Sequence, residues 1–168
     1  MKISVEQMIR EGDISPLRWG MNAADLAPIL TDNPLDDWAT GRIGRQTLLN
    51  VDGVEFYFVE RRQGLWMLLV AAWRIAPAAA SSCFDFGWIN QELTYAETQR
   101  QLVQRGWPYE VMRDPLNQHH PLLVIGRHAW VYFDDEGELR KRPIQKICLH
   151  NPVDAPSHYA RLKPGQQE

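Results

Sequence analysis

The chain of 168 residues has few of the residues that build metal sites and disulfides. Cys83 and Cys148 are its only cysteines, and they lie far apart without a Cys-x-x-Cys spacing. A disulfide framework or a structural zinc site needs more cysteines at closer spacing. The adjacent residues His119 and His120 point in opposite directions on a strand and have no ligand partner at helical spacing. We therefore expect two buried, reduced thiols, no metal and no other cofactor.

Long apolar runs and an excess of charge are also missing. The longest apolar run, Leu65 to Trp73, is far shorter than the roughly 20 residues that a membrane-spanning helix needs. The first residues lack the apolar run of a signal peptide, which favours a cytoplasmic location. The 18 basic and 21 acidic residues give a net charge of −3, so no basic field attracts nucleic acid. We expect neither a membrane nor a nucleic acid as partner.

Catalytic motifs are absent as well. No serine lies in a Gly-x-Ser-x-Gly elbow, and the segment Gly41 to Arg45 lacks the Lys-Ser/Thr pair of a phosphate-binding loop. The three acidic residues and the glycine of the segment Asp134 to Gly137 are typical of a solvated hairpin turn. The sequence therefore predicts a protein that is not an enzyme.

Helical patterns begin at three polar residues. Ser4 with Gln7, and Thr94 with Glu97, have the spacing of capping boxes, in which side chains satisfy exposed backbone N–H groups. Asn22 can cap a further helix through the segment AADLAPIL. Strand patterns follow these helices twice, and each time they predict a three-stranded meander, at residues 46–75 and 121–150.

The repeated order of helix and meander predicts a single domain, residues 1–168, of the α+β class. We expect a two-layer antiparallel sheet with helices on one face, built from two similar units at about 15–75 and 84–149. Asn22 lies 72 residues before Thr94, and Phe58 lies 75 before Phe133, which favours an internal duplication. Residues 150–168 are predicted to form an extended C-terminal tail.

Alternation along two strands separates an apolar side from a mixed side. The apolar triplets, expected to pack on the helices, are Val54, Phe56 and Phe58, and Ala129, Val131 and Phe133. The mixed triplets are Glu55, Tyr57 and Val59, and His128, Trp130 and Tyr132. Tryptophan and tyrosine contribute strongly to protein interfaces, so the mixed side is predicted to bind a partner. The alternative is that C-terminal residues or a second sheet cover these aromatics.

The acidic segment TDNPLDDW, residues 31–38, is longer than a turn requires and contains an aromatic residue. These features are typical of a recognition loop. The complete set of predicted partner-binding residues is Asp32, Asp36, Asp37, Trp38, Glu55, Tyr57, His128, Trp130 and Tyr132.

Two motifs carry a resemblance to known proteins. The first is Gly20-Met21-Asn22 followed by Leu26, Leu30 and Pro34, and the second is the strand sequence DGVEFYF from Asp52 to Phe58. Together they resemble the immunity proteins encoded beside bacterial polymorphic toxins. Asn33 replaces the glycine that is usual before Pro34 in that family, and Pro28 interrupts the helix.

The helix-plus-meander unit is also similar to the BamE/SmpA module. Two such units in tandem resemble the β-lactamase inhibitor protein, whose concave sheet binds its target. The resemblance covers about residues 15–149 and implies an immunity protein that binds and neutralises a cognate toxin, such as a nuclease or another effector that acts in the cytoplasm.

Two other hypotheses stay open at this point. In one, the exposed aromatics join two copies of the chain, and the protein is a non-enzymatic scaffold or assembly module. In the other, the protein is an enzyme or a small-ligand binder with a pocket lined by Trp88, Trp107 and His119.

Overall fold

The computed structural model describes residues 2–30, 39–43, 46–59 and 62–162. Its elements in chain order are β1 (Ile3–Ser4), α1 (Val5–Glu11), α2 (Ala23–Leu30), β2 (Ala39–Ile43), β3 (Gln46–Val51), β4 (Val54–Val59), β5 (Arg62–Val70), β6 (Phe84–Asp85), α3 (Tyr95–Gln104), β7 (Tyr109–Arg113), β8 (Pro121–Ile125), β9 (Ala129–Phe133), β10 (Ile144–His150) and α4 (Ala155–Ala160). Short 3₁₀ helices follow β5 and precede β10. Among the described helices, none is long and apolar enough to span a bilayer.

Eight strands form one antiparallel sheet in the order β2-β3-β4-β5-β10-β9-β8-β7. Each half of the chain contributes a meander, and the last strands of the two meanders, β5 and β10, pair at the centre of the sheet. The two remaining strands, β1 and β6, form a separate parallel pair. The predicted α+β class and antiparallel sheet are confirmed.

Each meander has four strands instead of the predicted three. The additional strands, β2 and β7, are the two edges of the sheet. Their sequences, ATGRI and YEVMR, contain charged residues and few β-branched ones. Edge strands tolerate such residues because one side of the strand faces no neighbour, so their sequence signal is weak.

One face of the sheet, which we call the helix face, buries the main core. The apolar triplets predicted from alternation are all buried there, and the helices α1, α2 and α3 pack on them. These helices contribute Val5, Met8 and Ile9 from α1, Leu26 and Leu30 from α2, and Tyr95 and Leu102 from α3. The predicted burial of both triplets is confirmed.

The predicted helix starts are confirmed at two positions. The hydroxyl of Ser4 accepts a hydrogen bond from the N–H of Gln7 (3.2 Å), and the hydroxyl of Thr94 accepts one from the N–H of Glu97 (3.2 Å). The two cysteines are free and buried, as expected.

The C-terminal residues differ from the predicted extended tail, because residues 155–160 form α4. Ala155, Tyr159 and Leu162 are buried, and Tyr159 and Leu162 pack on the sheet face opposite the helix face. Their spacing places all three on one side of a helix, and a proline in the first turn is compatible with a helix start. Helices therefore occur on both faces of the sheet.

Gly64 on β5 lies where the segment before α2 crosses the strand. The N–H of Gly20 donates to the carbonyl of Leu65 (2.9 Å), and the N–H of Leu65 donates to the carbonyl of Met21 (2.8 Å). A Cβ atom on Gly64 would lie 2.1 Å from the carbonyl oxygen of Gly20, which is a backbone atom. This close approach fixes the segment that leads into α2.

We expect Gly64→Ala to destabilise the protein by at least about 2 kcal/mol more than Gly137→Ala, measured by urea unfolding. Both glycines have positive φ angles, 140° and 82°, but nothing lies within 4 Å of a Cβ atom on Gly137. The difference between the variants therefore reports the steric clash with Gly20 together with the different backbone strain of an alanine at φ 140° and at φ 82°. Equal losses in the two variants would show that the contact with Gly20 is not tight.

Candidate partner-binding face

The sheet face opposite the helix face, which we call the second face, carries a smaller cluster of buried side chains. Its strand residues are Leu122, Val124, Trp130 and Cys148, and the C-terminal residues Tyr159 and Leu162 cover them. Register explains the arrangement, because Cys148 lies opposite Trp130 on β9 and opposite Leu69 on β5. The cluster anchors α4 to the sheet.

Around this cluster the second face keeps apolar side chains that are only partly buried. Leu48 and Met67 lie on either side of Tyr57 in the strand register. Three polar side chains, those of Asn50, Glu55 and Lys146, are also partly exposed and lie on the same face. We call this set the second-face strip: Leu48, Asn50, Glu55, Met67, Leu69, Tyr132 and Lys146.

Burial keeps two phenol groups and one thiol on this face in their neutral forms. Burial and the hydrogen bond from its hydroxyl to Glu55 Oε2 (2.6 Å) raise the pKa of Tyr57. Burial also raises the pKa of Tyr132, whose ring lies 5.1 Å from the ammonium of Lys146. Burial raises the pKa of the Cys148 thiol to about 12, so Cys148 is not a thiolate nucleophile at neutral pH. The arrangement suits packing better than nucleophilic chemistry.

His150 on β10 lies between the sheet and α4 and is 5% exposed. Its ring centroid is 4.4 Å from that of Trp130 and 4.6 Å from that of His158 on α4. Neither ring nitrogen has a hydrogen-bond partner among the described residues. Burial lowers the pKa of His150 to about 3, and repulsion from His158, His128 and Arg161 adds to this shift. His150 is therefore neutral at pH 7.

This burial predicts that acid weakens the fold through His150. As the pH falls below 6.5, the unfolded chain binds a proton at His150 that the folded chain does not bind until about pH 3. The free energy of unfolding should therefore fall between these pH values, with His150 contributing about 2.5 kcal/mol of the loss from pH 7.5 to pH 4.5. In urea unfolding at both pH values, the free energy of unfolding of His150→Phe should fall by about 2.5 kcal/mol less than that of the wild type.

The matched control for this prediction is His119→Gln, because His119 is exposed in the loop after β7. This variant should keep the full wild-type drop between pH 7.5 and pH 4.5. The same drop in His150→Phe as in the wild type would contradict the assignment of the acid sensitivity to His150.

At one end of the second face, a cavity of about 290 Å³ separates strands β9 and β10 from residues 114–120, which we call the β7–β8 loop. Its lining is polar and includes Asp114, Asn117, His120, Tyr132, Asp135 and Lys146. Nδ1 of His120 lies 3.9 Å from Oδ1 of Asp135. A histidine and a carboxylate thus converge in a cavity, which raises the question of general-base chemistry.

The hydrogen bonds of His120 answer this question. The side-chain oxygen of Asn117 accepts the N–H of His119, so its amide nitrogen is the group that faces Nε2 of His120, at 3.0 Å. Nε2 is therefore the acceptor in this contact. His120 uses this nitrogen to hold the loop in place.

The predicted site residues are only partly brought together. Asp32, Asp36, Asp37 and Trp38 lie outside the described residues. Glu55, Tyr57, Trp130 and Tyr132 share the second face, but Tyr57 and Trp130 are only 8% and 7% exposed. Trp130 packs with Tyr159 and Leu162, which corresponds to the alternative in which C-terminal residues cover the aromatics. Among the described members of the predicted set, Glu55 and Tyr132 are the most accessible.

His128 does not lie with Trp130 and Tyr132, so its predicted place on the mixed side is wrong. It is buried, its Nε2 is 2.9 Å from the carbonyl oxygen of Ile9 in α1, and its Nδ1 is 2.9 Å from that of Gly126. His128 precedes β9 in a turn where Gly126 and Arg127 have positive φ angles, so strand alternation does not extend to it. It connects the sheet to the last turn of α1.

Sequence reasoning missed Leu48, Met67, Leu69 and Lys146 on the second face. In β5 the run LWMLLV is apolar on both sides of the strand, so alternation gives no signal that separates the faces. The pocket residues of the enzyme hypothesis are not assembled into a catalytic group. Trp88 and Trp107 form an edge-to-face pair in the helix-face core, whereas His119 is exposed in the β7–β8 loop.

Within the described part of the chain, no group of three or more histidine, cysteine, aspartate or glutamate residues is arranged to hold a metal ion. Comparison of the chain with protein-family models, curated proteins and solved structures found no match. The geometry of the second face is therefore the main observation from which a function can be proposed.

Proposed function

We propose that the protein is an immunity protein that acts in the cytoplasm and neutralises a bacterial toxin by direct protein–protein contact through the second face. The observation that carries this proposal is the second-face strip. It holds partly exposed apolar side chains next to each other on a sheet whose opposite face is covered by three helices. An apolar surface of this kind is characteristic of a binding site.

The strip is suited to protein binding because it is rigid and mixed in character. Its residues lie on paired strands, so their backbones lose little freedom when a partner docks. Met67, Leu69 and Tyr132 supply apolar contact area, while Glu55 and Lys146 supply charges that can fix the orientation of the partner. An interface of ordinary size takes about 20–30 residues from each partner, which is more than the residues of the strip alone. The contact therefore has to extend onto neighbouring loops.

We also propose that the two halves arose by duplication of one helix-plus-meander unit. The sheet order supports this proposal, because each half supplies four consecutive strands and the halves meet through their last strands. A two-unit sheet presents equivalent strands on both sides of its centre, and Tyr57 on β4 and Tyr132 on β9 then occupy equivalent positions.

The proposal predicts that the double change Leu69→Glu and Tyr132→Ala weakens toxin binding by about 2 kcal/mol or more, because Leu69 lies on the central strand β5 and Tyr132 is the aromatic residue of the strip. The probe is a catalytically inactive toxin domain encoded beside the gene for this chain, titrated by calorimetry. Val103→Glu is the matched control, because Val103 is an exposed apolar residue on α3, over the helix face. The Val103→Glu variant should bind the toxin domain with the affinity of the wild type.

When each protein is co-expressed with the active toxin domain, cell survival should be lower with the double variant than with the wild type or Val103→Glu. Failure of the wild-type protein to bind or protect would overturn the immunity proposal. A tight homodimer in sedimentation, broken by the same double change, would instead support the scaffold hypothesis.

A further inference from the structure

The C-terminal residues 155–162, which we call the C-terminal cover, pack on the second face without joining the main core. Tyr159 and Leu162 lie against four strand residues, and together they form a cluster that is separate from the core of the helix face. The eight-stranded sheet lies between the two clusters. The cover can therefore undock while the core of the helix face stays intact.

The cover depends on its docking for its structure. Its helix α4 has six residues, far fewer than the roughly 12–15 that an isolated helix needs in water. The N–H groups of Ser157, Arg161 and Leu162 donate to carbonyls three residues earlier in the chain, so these bonds stabilise the turns and do not tie them to the sheet. The apolar side chains that docking buries are Ala155, Tyr159 and Leu162.

The docked cover also encloses polar atoms that it does not satisfy. The ring of His150 lies 4.6 Å from that of His158, and the ring of Trp66 lies 6.5 Å from His150 and 6.4 Å from His158. Nε1 of Trp66 and both ring nitrogens of His150 are buried without a hydrogen-bond partner among the described residues. Burial of unpaired polar groups costs free energy, which offsets part of the gain from the apolar contacts.

The surface beneath the cover continues the second-face strip. Met67, Leu69 and Tyr132 of the strip pack against the same cluster that the cover closes. When the cover is undocked, Trp130 joins this apolar surface, and the indole N–H of Trp66 becomes free to bind a partner. Undocking therefore enlarges the candidate partner-binding surface.

We infer that the C-terminal cover is autoinhibitory: it occupies part of the toxin-binding surface, and the toxin displaces it and binds in its place. This inference rests on the proposed function and adds residues to an interface for which the strip alone is too small. The toxin segment that replaces the cover brings apolar side chains for the cluster and an oxygen acceptor for the indole N–H of Trp66. Such a segment pairs a group that the cover leaves unpaired, which favours the toxin over the cover.

Amide hydrogen exchange of the full chain, with and without the inactive toxin domain described above, tests the displacement. In the free protein, residues 155–162 should exchange faster than α3, and addition of the toxin domain should accelerate their exchange by at least about fivefold. Unchanged or slower exchange of these residues in the complex would overturn the inference. It would leave the immunity proposal intact, because the toxin would still be bound.

Ala160→Gly tests the competition by weakening the cover without changing the surface beneath it, because Ala160 is the exposed last residue of α4. Glycine lowers the stability of a helix by up to about fivefold in its equilibrium constant. Calorimetry should therefore show toxin binding that is tighter by about twofold to fivefold. The matched control is Gln104→Gly, at the exposed last residue of α3, which should bind like the wild type. Unchanged or weaker binding by Ala160→Gly would contradict the competition.

Trp66→Phe tests the acceptor on the toxin, because it removes the indole N–H and keeps an aromatic ring. This variant should bind the toxin domain at least about fivefold more weakly than the wild type. Trp88→Phe is the matched control, since its indole nitrogen is also buried without a partner among the described residues but lies on the helix face. It should keep wild-type affinity. Wild-type affinity in Trp66→Phe would overturn the assigned acceptor, and absence of any wild-type complex would overturn both proposals.

Discussion

The antiparallel pairing of β5 with β10 is the interaction on which the rest of the structure depends. These strands end the two meanders, and their pairing places Leu68 opposite Leu149 and Leu69 opposite Cys148. Without this contact each meander would have an unpaired edge strand at its most apolar position. The pairing joins the two halves over the core of the helix face and aligns the side chains of both halves on the second face.

The two faces then have different physical roles. The helix face contains nearly all of the large, fully buried side chains, including Phe56, Leu68 and Leu123, and therefore supplies most of the free energy of folding. The second face is closed only in part, by α4. Its cover is built around His150, a buried imidazole with no hydrogen-bond partner in the described structure. Protonation of His150 at low pH therefore weakens this cover.

Sequence patterns predicted the elements whose signals are local and repeated. The apolar triplets on β4 and β9 follow from a period of two, and the helix starts follow from Ser4 and Thr94 with their capping hydrogen bonds. The candidate site was harder to predict because its residues come from strands and turns without clear periodicity. In β5 both sides are apolar, and His128 lies in a turn where strand alternation does not apply. The signal for α4 was present in the spacing of Ala155, Tyr159 and Leu162, but it spans fewer than three turns.

The protonation states on the second face connect its structure to binding. Burial of an ionised group against a partner costs several kcal/mol unless that group is paired, whereas neutral groups are desolvated at much lower cost. Tyr57, Tyr132 and Cys148 all have raised pKa values and stay protonated at pH 7. Charge on the strip is limited to Glu55, which accepts a hydrogen bond from Tyr57, and Lys146, which lies against the ring of Tyr132. A surface with these properties loses little free energy when water is removed from it.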